Sequence, residues 1–134
     1  MANFGKSSTE KLGTCDEKLQ RVFNRVVTYF DCTVICGHRG RAAQEAAFAS
    51  GASKVHYPNG KHNSSPSKAV DVMPWPLDWS ETPKNIEQIA LFAGYVLGVA
   101  AEMGIKLRWG HDWNMDDVPD IRGLVDRPHF ELVD

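Results

Sequence analysis

Apolar residues recur at helical spacing in two stretches of the chain. The first stretch contains Leu19, Val22, Phe23, Val26, Val27 and Phe30, and the second contains Ile86, Ile89, Ala90, Ala93, Val96, Leu97 and Ala100. This spacing places apolar side chains on one face of a helix, so each face is predicted to be buried. Thr14 and Glu17 fit a capping box and predict that the first helix begins at Thr14, whereas Thr82-Pro83 predicts the start of the second, which Gly104 ends.

Shorter runs of β-branched or alternating residues predict strands at Cys32–Cys36 and at residues 68–72, 105–109 and 129–133. An Ala-rich helix is predicted over residues 41–50, ended by Gly51, and the residues 57–67, rich in Pro, Gly, Asn and Ser, are predicted to form a loop. Because these elements do not alternate as regular βαβ units, we expect an α+β fold in which helices flank a small antiparallel or mixed sheet. Residues 1–134 are predicted to form a single domain.

Composition narrows the class of protein. The 134 residues include 15 Lys and Arg, 17 Asp and Glu, and 43% hydrophobic residues, which excludes disorder, coiled coils and collagen. The longest apolar stretch, residues 89–103, is shorter than the roughly 20 residues that cross a bilayer, and the N-terminus lacks the apolar core of a secretion signal. We therefore expect synthesis in a cytoplasm and no membrane insertion.

Charge and cysteine content exclude two further kinds of chemistry. The net charge of -2 combines 10 basic and 5 acidic residues in the first 68 positions with 5 basic and 12 acidic residues in the rest, but no Lys or Arg stripe is present. We therefore expect no nucleic-acid partner. Cys15, Cys32 and Cys36 form no even set, and Cys32 and Cys36 lie too far apart along one strand for a disulfide, so free thiols are expected.

Dispersed metal-type ligands are the main chemical signal, because the chain has no Gly-rich phosphate loop, Gly-x-Ser-x-Gly elbow or His-Glu-x-x-His helix. Asp71 lies in the apolar run 69–72, where an unpaired carboxylate is costly to bury; a salt bridge or a metal ion would satisfy it. Two histidines and one carboxylate, such as His62, Asp71 and His129, are a ligand set of catalytic zinc. Asp126, three residues before His129, could take the proton of a water bound at the fourth position.

Three segments of the chain resemble a known family. Residues 61–74, with the sequence KHNSSPSKAVDVMP, residues 108–113 and residues 126–132 look like motifs of the M15 group of zinc peptidoglycan peptidases. That group includes D-Ala-D-Ala carboxypeptidases and phage L-alanyl-D-glutamate endopeptidases, and the resemblance covers nearly the whole chain. It implies a fold like that of Hedgehog proteins and D-Ala-D-Ala peptidases.

The resemblance also implies roles for individual residues. His62, Asp71 and His129 match the ligands of one Zn²⁺ per chain, and Asp126 matches the general base. Arg39 matches the family arginine that helps to hold the substrate carbonyl and its developing oxyanion.

The chain departs from the common form of the family at three places. Gly60 stands where Ser is usual, the His-to-Asp interval is two residues longer, and His111 replaces a Gly, which leaves a surface role and a contact with substrate both open. Asp112, Asn114 and Asp116 alternate oxygen ligands as the first half of a calcium loop does, so Ca²⁺ is a second candidate ion, with a solvated acidic loop as the alternative. Four tryptophans could wall a glycan or peptide groove, namely Trp75, Trp79, Trp109 and Trp113.

The expected function is zinc-dependent hydrolysis of a peptide bond in the peptidoglycan stem, by a phage endolysin of the L-alanyl-D-glutamate endopeptidase type that lyses its bacterial host. The alternatives are a D-Ala-D-Ala carboxypeptidase of the same family and a cell-wall-binding module without catalysis. Bacterial peptidoglycan is the expected partner, and the protein is expected to be a monomer. We expect it to accumulate in the host cytoplasm and to act on the cell wall after another agent opens the membrane.

Overall fold

The helices and strands form an α+β fold around one antiparallel sheet, which confirms the expected fold class. The computed structural model describes residues 2–133. The helices are α1 (Lys6–Leu12), α2 (Glu17–Tyr29), α3 (Arg41–Ala49) and α4 (Pro83–Glu102), and a 3₁₀ turn covers Lys61–Asn63. The strands are β1 (Cys32–Cys36), β2 (Ala69–Pro74), β3 (Leu107–Trp109) and β4 (His129–Leu132). The strand order is β1-β2-β4-β3, and every neighbouring pair is antiparallel.

The hydrophobic core lies between the sheet and the helices α1, α2 and α4. The predicted apolar faces are confirmed, since five residues of α2 and four of the residues predicted for α4 are buried, namely Leu19, Val22, Phe23, Val26, Val27, Ile89, Ala93, Val96 and Ala100. Phe92 lies outside the predicted face of α4, yet it is fully buried and its ring packs edge-on against Phe30 and Phe130. Burial of one such ring stabilises the fold by about 1.5–3 kcal/mol.

The predicted start of the first long helix at Thr14 is wrong. The N-cap of α2 is Asp16, whose side chain accepts a hydrogen bond from Lys18 N at 2.9 Å. The Thr14 hydroxyl instead donates to Lys11 O and accepts from His38 N. The Thr14 hydroxyl is thus occupied by a hydrogen bond from a distant part of the chain and does not cap the helix.

The short helix α1 has no counterpart among the predicted elements. Its seven residues are too few for a periodic signal, and only Ser8 and Leu12 are buried. The helix packs on β1, which is an edge strand, and Ser8 Oγ accepts a hydrogen bond from Val34 N at 3.0 Å. This bond satisfies a backbone donor at the sheet edge that no neighbouring strand reaches.

The other predicted elements are confirmed with small differences in their bounds. The strands β2, β3 and β4 and the helix α3 each begin and end within two residues of the predicted positions. Gly51 and Gly104 follow α3 and α4 with φ of 83° and 72°, a left-handed conformation that favours glycine. The predicted loop 57–67 contains the 3₁₀ turn.

The three cysteines are free thiols, as expected. Cys15 and Cys32 are buried, and burial raises the pKa of Cys15 to about 11 and that of Cys32 to about 12. Both thiols therefore stay protonated and unreactive at neutral pH.

Asp16, the N-cap of α2, forms an ion pair with Lys68, the residue before β2, with 2.7 Å between Oδ2 and Nζ. The hydrogen bonds from Lys68 and from Lys18 N hold the pKa of Asp16 below its ordinary value. Because the folded pKa is depressed, the stabilisation is complete above the unfolded pKa of about 4 and is lost as the pH falls through the folded value. We expect Asp16→Asn, which keeps the cap acceptor, to lower the free energy of unfolding at pH 7 by less than about 1 kcal/mol, and Asp16→Ala by about 1–2 kcal/mol.

Urea unfolding at pH 7 and pH 2 measures both effects. The deficit of Asp16→Asn should shrink at pH 2, because the stabilisation by the carboxylate is lost as the pH falls toward its depressed folded pKa. A deficit of the same size at both pH values would contradict a role for the ion pair.

Candidate metal and catalytic site

Three segments that are distant in the chain bring two imidazoles and a carboxylate together. Asp71 of β2 and His129 of β4 are directly opposite each other in the antiparallel pair. The two neighbours of Asp71 in β2 are buried in the core, so the alternation of the strand turns Asp71 to the other face of the sheet. His62 reaches the same place from the 3₁₀ turn, which is held by a hydrogen bond from Arg39 N to His62 O at 2.8 Å.

One atom of each of these three side chains faces a common point. Asp71 Oδ1 lies 3.2 Å from His62 Nε2 and 3.3 Å from His129 Nδ1, and the two ring nitrogens are 3.3 Å apart. Ligands at about 2.0–2.1 Å from a tetrahedral zinc ion are separated by about 3.3 Å, the edge of the tetrahedron. Asp71 Oδ1 is buried and accepts no hydrogen bond from the described residues. The donor set and its spacing therefore fit a zinc ion with three protein ligands.

The outer nitrogen of each imidazole is held by a hydrogen bond. His62 Nδ1 donates to Gly37 O at 2.8 Å, and His129 Nε2 donates to Glu131 Oε1 at 2.8 Å. These bonds leave His62 Nε2 and His129 Nδ1 as the two nitrogens that can bind a metal, an arrangement typical of metal-binding histidines. Nothing in the sequence singled out Glu131, although its place two residues after His129 puts both side chains on one face of β4.

The same contacts shift the pKa values of the three side chains when no metal is bound. Burial opposes the charging of His62 and His129, but contacts with Asp71 outweigh it and raise their pKa values to about 10 and about 9. Burial would raise the pKa of Asp71, but its contacts with His129 and His62 hold it far below the usual range. A metal ion that binds these ligands must displace the imidazole protons.

Asp126 lies beside this cluster, with its Oδ2 3.8 Å from His129 Nδ1. Its backbone is fixed, because Asp126 N donates to Gly110 O at 2.8 Å and Asp126 O accepts from His129 N at 3.1 Å. A side chain at position 110 would collide with Asp126 O, so this close approach requires glycine. Burial, followed by the charge of Asp71, raises the pKa of Asp126 to about 6, which suits a group that accepts and returns a proton near neutral pH.

Arg39 contacts the outer oxygen of Asp71, with 3.7 Å between Nη2 and Oδ2. Arg39 Nη1 donates to Gln44 Oε1 at 3.1 Å. Gln44 is only 1% exposed, and its Nε2 donates to Ser53 Oγ and Val55 O. The buried amide, to which the sequence assigned no role, therefore positions the guanidinium beside the cluster.

A cleft of 270 Å³ opens at the cluster and is lined by the predicted zinc ligands, the predicted base and the predicted carbonyl-binding arginine, namely Arg39, His62, Asp71, Asp126 and His129. Trp113 lines the same cleft, with its ring centroid 5.6 Å from that of His129. Lys54 and Lys61 add positive charge to the lining. A larger cavity of 350 Å³ near β3 and the end of α4 contains none of these five residues, although Trp109 and Asp112 line it.

The acidic loop after β3 has an internal hydrogen-bonding role. Asp112, Asp116 and Asp120 each bring an oxygen within 4.8 Å of the others. Asp112 is buried, and its carboxylate accepts hydrogen bonds from the backbone N–H groups of Asp116 and Asp117. These bonds account for the buried aspartate, and nothing in the described residues supports the expected Ca²⁺ at Asp112, Asn114 and Asp116 over a solvated loop.

His111 and the four tryptophans occupy different environments. His111 packs edge-on against Trp109, at 5.3 Å between ring centroids, and is not part of the cleft lining. Trp109 is buried in the core, whereas Trp75 and Trp79 are exposed. Of the four tryptophans, Trp113 alone lines the cleft.

Comparisons with known proteins agree on one family. A family model described as phage L-alanyl-D-glutamate peptidase matches residues 1–133. The chain belongs to this family. The L-alanyl-D-glutamate peptidase of Escherichia phage T5 is 32% identical to the chain over 146 residues, and the match covers 97% of each protein. The crystal structure of the L-Ala D-Glu endopeptidase ChiX of Serratia marcescens has a TM-score of 0.75 and 28% identity, over 98% of this chain and 90% of that one.

Membership of the phage L-alanyl-D-glutamate peptidase family confirms the expected resemblance and makes the chain a peptidase. Both relatives are named for the same bond, between L-Ala and D-Glu. Among the described residues, no helix has the length and the apolar character needed to cross a membrane.

Proposed function

We propose that the protein is a zinc-dependent endopeptidase that hydrolyses the bond between L-Ala and D-Glu in the stem peptide of bacterial peptidoglycan, as a phage endolysin. The observation that carries this proposal is the triangle of ligand atoms from His62, Asp71 and His129 in a cleft of a chain of this family. These three residues hold one zinc ion per chain. One chain supplies all of these residues, which supports a monomer as the active form.

Zinc at these ligands supplies a Lewis acid that lowers the pKa of water and polarises a carbonyl group. Asp126, whose Oδ2 lies 3.8 Å from His129 Nδ1, accepts the proton of the attacking water and returns it to the leaving amine. Arg39, positioned by Gln44, donates toward the carbonyl oxygen as negative charge develops there. Glu131 keeps the imidazole of His129 in the orientation and tautomer that ligation needs.

The charges of the cleft also favour a dication. The charge of Asp71 contributes to the raised pKa of Asp126, which means that the two carboxylates repel each other. A cation beside them relieves this repulsion and keeps Asp126 ionised as a base.

Two alternatives use the same fold. A D-Ala-D-Ala carboxypeptidase would bring a different bond to the same residues, but the phage T5 and Serratia relatives are both named for the L-Ala to D-Glu bond, which favours the endopeptidase. A cell-wall-binding module without catalysis would have no need of Asp126 beside the ligands.

Digestion of purified sacculi by the zinc-loaded protein, followed by mass spectrometry of the muropeptides, tests this proposal. We expect release of stem peptides that begin with D-Glu, with L-Ala left on the glycan strands. Loss of the terminal D-Ala alone would instead identify a carboxypeptidase, and unchanged muropeptides despite tight binding would identify a binding module. The phage family also supports accumulation in the host cytoplasm before lysis, with peptidoglycan reached once the membrane is opened.

Glu131→Gln is expected to weaken zinc binding by about 10–100-fold, because the amide still accepts a hydrogen bond from His129 but no longer carries the charge that raises the basicity of the imidazole. Competition with a chelating dye measures this affinity, and activity should return at saturating zinc. Glu87→Gln on the exposed surface of α4 is the matched control. A zinc affinity of Glu131→Gln within twofold of the unaltered protein would contradict the role given to Glu131.

A further inference from the structure

A second groove begins at Asp126, which also lines the cleft with the proposed zinc ligands. The groove has a volume of 190 Å³ and lies between the start of α4, the segment before β4 and the loop after β2. Its lining mixes polar groups with apolar and aromatic side chains, and the apolar and aromatic ones are Met73, Trp79, Ile86, Ile89, Val125 and Pro128. Asp126 therefore stands where two binding surfaces meet.

Two tryptophans stand exposed on the loop that follows β2. Trp79 is 58% exposed and Trp75 is 55% exposed, so neither serves the core. Trp79 lines the groove, and Trp75 lines an adjoining hollow that shares Met73 with it. An exposed indole offers a flat apolar face with a polar N–H at its edge, which matches a sugar ring that has an apolar face and a rim of hydroxyl groups.

The cleft and the groove differ in charge. The cations that line the cleft are Arg39, Lys54 and Lys61, and the carboxylates that line it are Asp71, Asp126 and Glu131. Arg39 contacts Asp71 and His129 contacts Glu131, whereas Lys54 forms no ion pair within the part of the chain that the structure describes. In the groove the lining cation is Arg127, which is paired with Glu81 at 3.4 Å between Nη1 and Oε1. With the proposed zinc ion held by Asp71, Lys54 can attract a free carboxylate to the cleft, whereas in the groove Arg127 is paired with Glu81 and Asp126 adds a further negative charge.

The two sides of the scissile bond in the substrate also differ in charge. The D-Glu end of a stem peptide carries free carboxylates, whereas L-Ala is joined through an uncharged lactyl group to an amino sugar of the glycan strand. L-Ala and the lactyl group together span about 7 Å, at about 3.5 Å per extended residue. With the bond at the zinc ligands, the sugar therefore lies about 7 Å from the bond, close enough to occupy the groove that begins at Asp126.

We propose that the groove lined by Trp79 binds the amino sugar next to the scissile bond, so that the glycan strand passes over Trp79 and Trp75 while the cleft, with Lys54, takes the D-Glu end. This inference rests on the proposed function, because it takes the L-Ala to D-Glu bond to lie beside Asp126. It assigns the direction in which the substrate crosses the site and explains why two large apolar side chains stay exposed.

Cleavage of two substrates tests the inference: a disaccharide-tetrapeptide of N-acetylglucosamine, N-acetylmuramic acid and the stem, and the free tetrapeptide without sugars. We expect Trp79→Ala to lower kcat/KM for the disaccharide-tetrapeptide about tenfold and Trp75→Ala about threefold, with the free tetrapeptide changed less than twofold. Trp79→Phe should retain most of the activity because it keeps a flat ring. Lys54→Ala should lower kcat/KM for both substrates by a similar factor, since both contain D-Glu.

Tyr29→Ala is the matched control, because it removes an equally exposed aromatic ring of α2 that lines neither the cleft nor the groove. Equal losses on both substrates in Trp79→Ala, or no loss on either, would overturn the inference. Failure of the proposed function gives a different result, since the unaltered protein would then cleave neither substrate.

In that case the disaccharide alone still tests the groove. Its titration should shift the indole N–H signals of the exposed Trp79 and Trp75 in nitrogen-resolved NMR spectra. Unchanged signals of Trp79 and Trp75 would overturn the inference without reference to catalysis.

Discussion

Asp126→Ala is expected to abolish lysis of purified sacculi while about one zinc ion stays bound per chain. Asp126 handles the proton in both the attack of water and the departure of the amine, and a positioned acid–base group contributes about 10²–10⁴-fold to a rate. The backbone bonds of residue 126 to Gly110 and His129 do not use the side chain, so the fold should persist. Turbidity of a sacculus suspension measures lysis, and atomic absorption measures zinc.

Two further variants sharpen this prediction. Asp126→Asn keeps the shape but cannot accept a proton, so it should be as inactive as Asp126→Ala, whereas Glu87→Gln should be fully active. If Asp126→Ala lyses sacculi normally, Asp126 is not the base. If it loses zinc together with activity, Asp126 is a ligand rather than a proton acceptor.

Asp71→Asn is expected to lower zinc affinity more than about 100-fold and to remove activity at submicromolar zinc. The variant replaces the charged ligand with a neutral one, and Arg39, which now pairs with Asp71 Oδ2, would face the metal uncompensated. Zinc stabilises the unaltered protein in proportion to the logarithm of its concentration above the Kd, so its melting temperature should rise with added zinc. The melting temperature of Asp71→Asn should not change over the same range.

The variant Glu131→Gln is the control for this comparison, because it alters a carboxylate next to the cluster that is not a ligand. It should respond to zinc at a higher concentration, whereas Asp71→Asn should not respond. A zinc-dependent rise in melting temperature of the same size in Asp71→Asn and the unaltered protein would show that His62 and His129 suffice.

The sequence allowed prediction of the ligand types but not of their surroundings. Asp71 is identifiable because a carboxylate between two valines needs a partner, and the family motifs supply His62 and His129. Glu131 is not identifiable in the same way, since one acidic residue in an alternating strand is ordinary until its contact with His129 is known. The role of Gln44 could not be predicted either, because it depends on four contacts that the position of Gln44 in an Ala-rich helix does not reveal.

The start of α2 shows a different limit. Thr14 and Asp16 both suit an N-cap, and local pattern favours Thr14 because Glu17 follows at the right distance. Which residue becomes the N-cap depends on two distant partners. The backbone N–H of His38 donates a hydrogen bond to the Thr14 hydroxyl, and Lys68 forms an ion pair with Asp16. Both partners are distant in the chain, so no local rule includes them.

The pairing of Asp71 with His129 makes the metal site dependent on strand alignment. A slip of one residue between β2 and β4 would turn one of these side chains toward the opposite face of the sheet and separate the two ligands. A misaligned molecule would therefore bind no ion while keeping much of its secondary structure. On the proposed zinc site, the zinc content of a preparation would therefore report the fraction of molecules folded in the correct register, and zinc would stabilise that register over its neighbours.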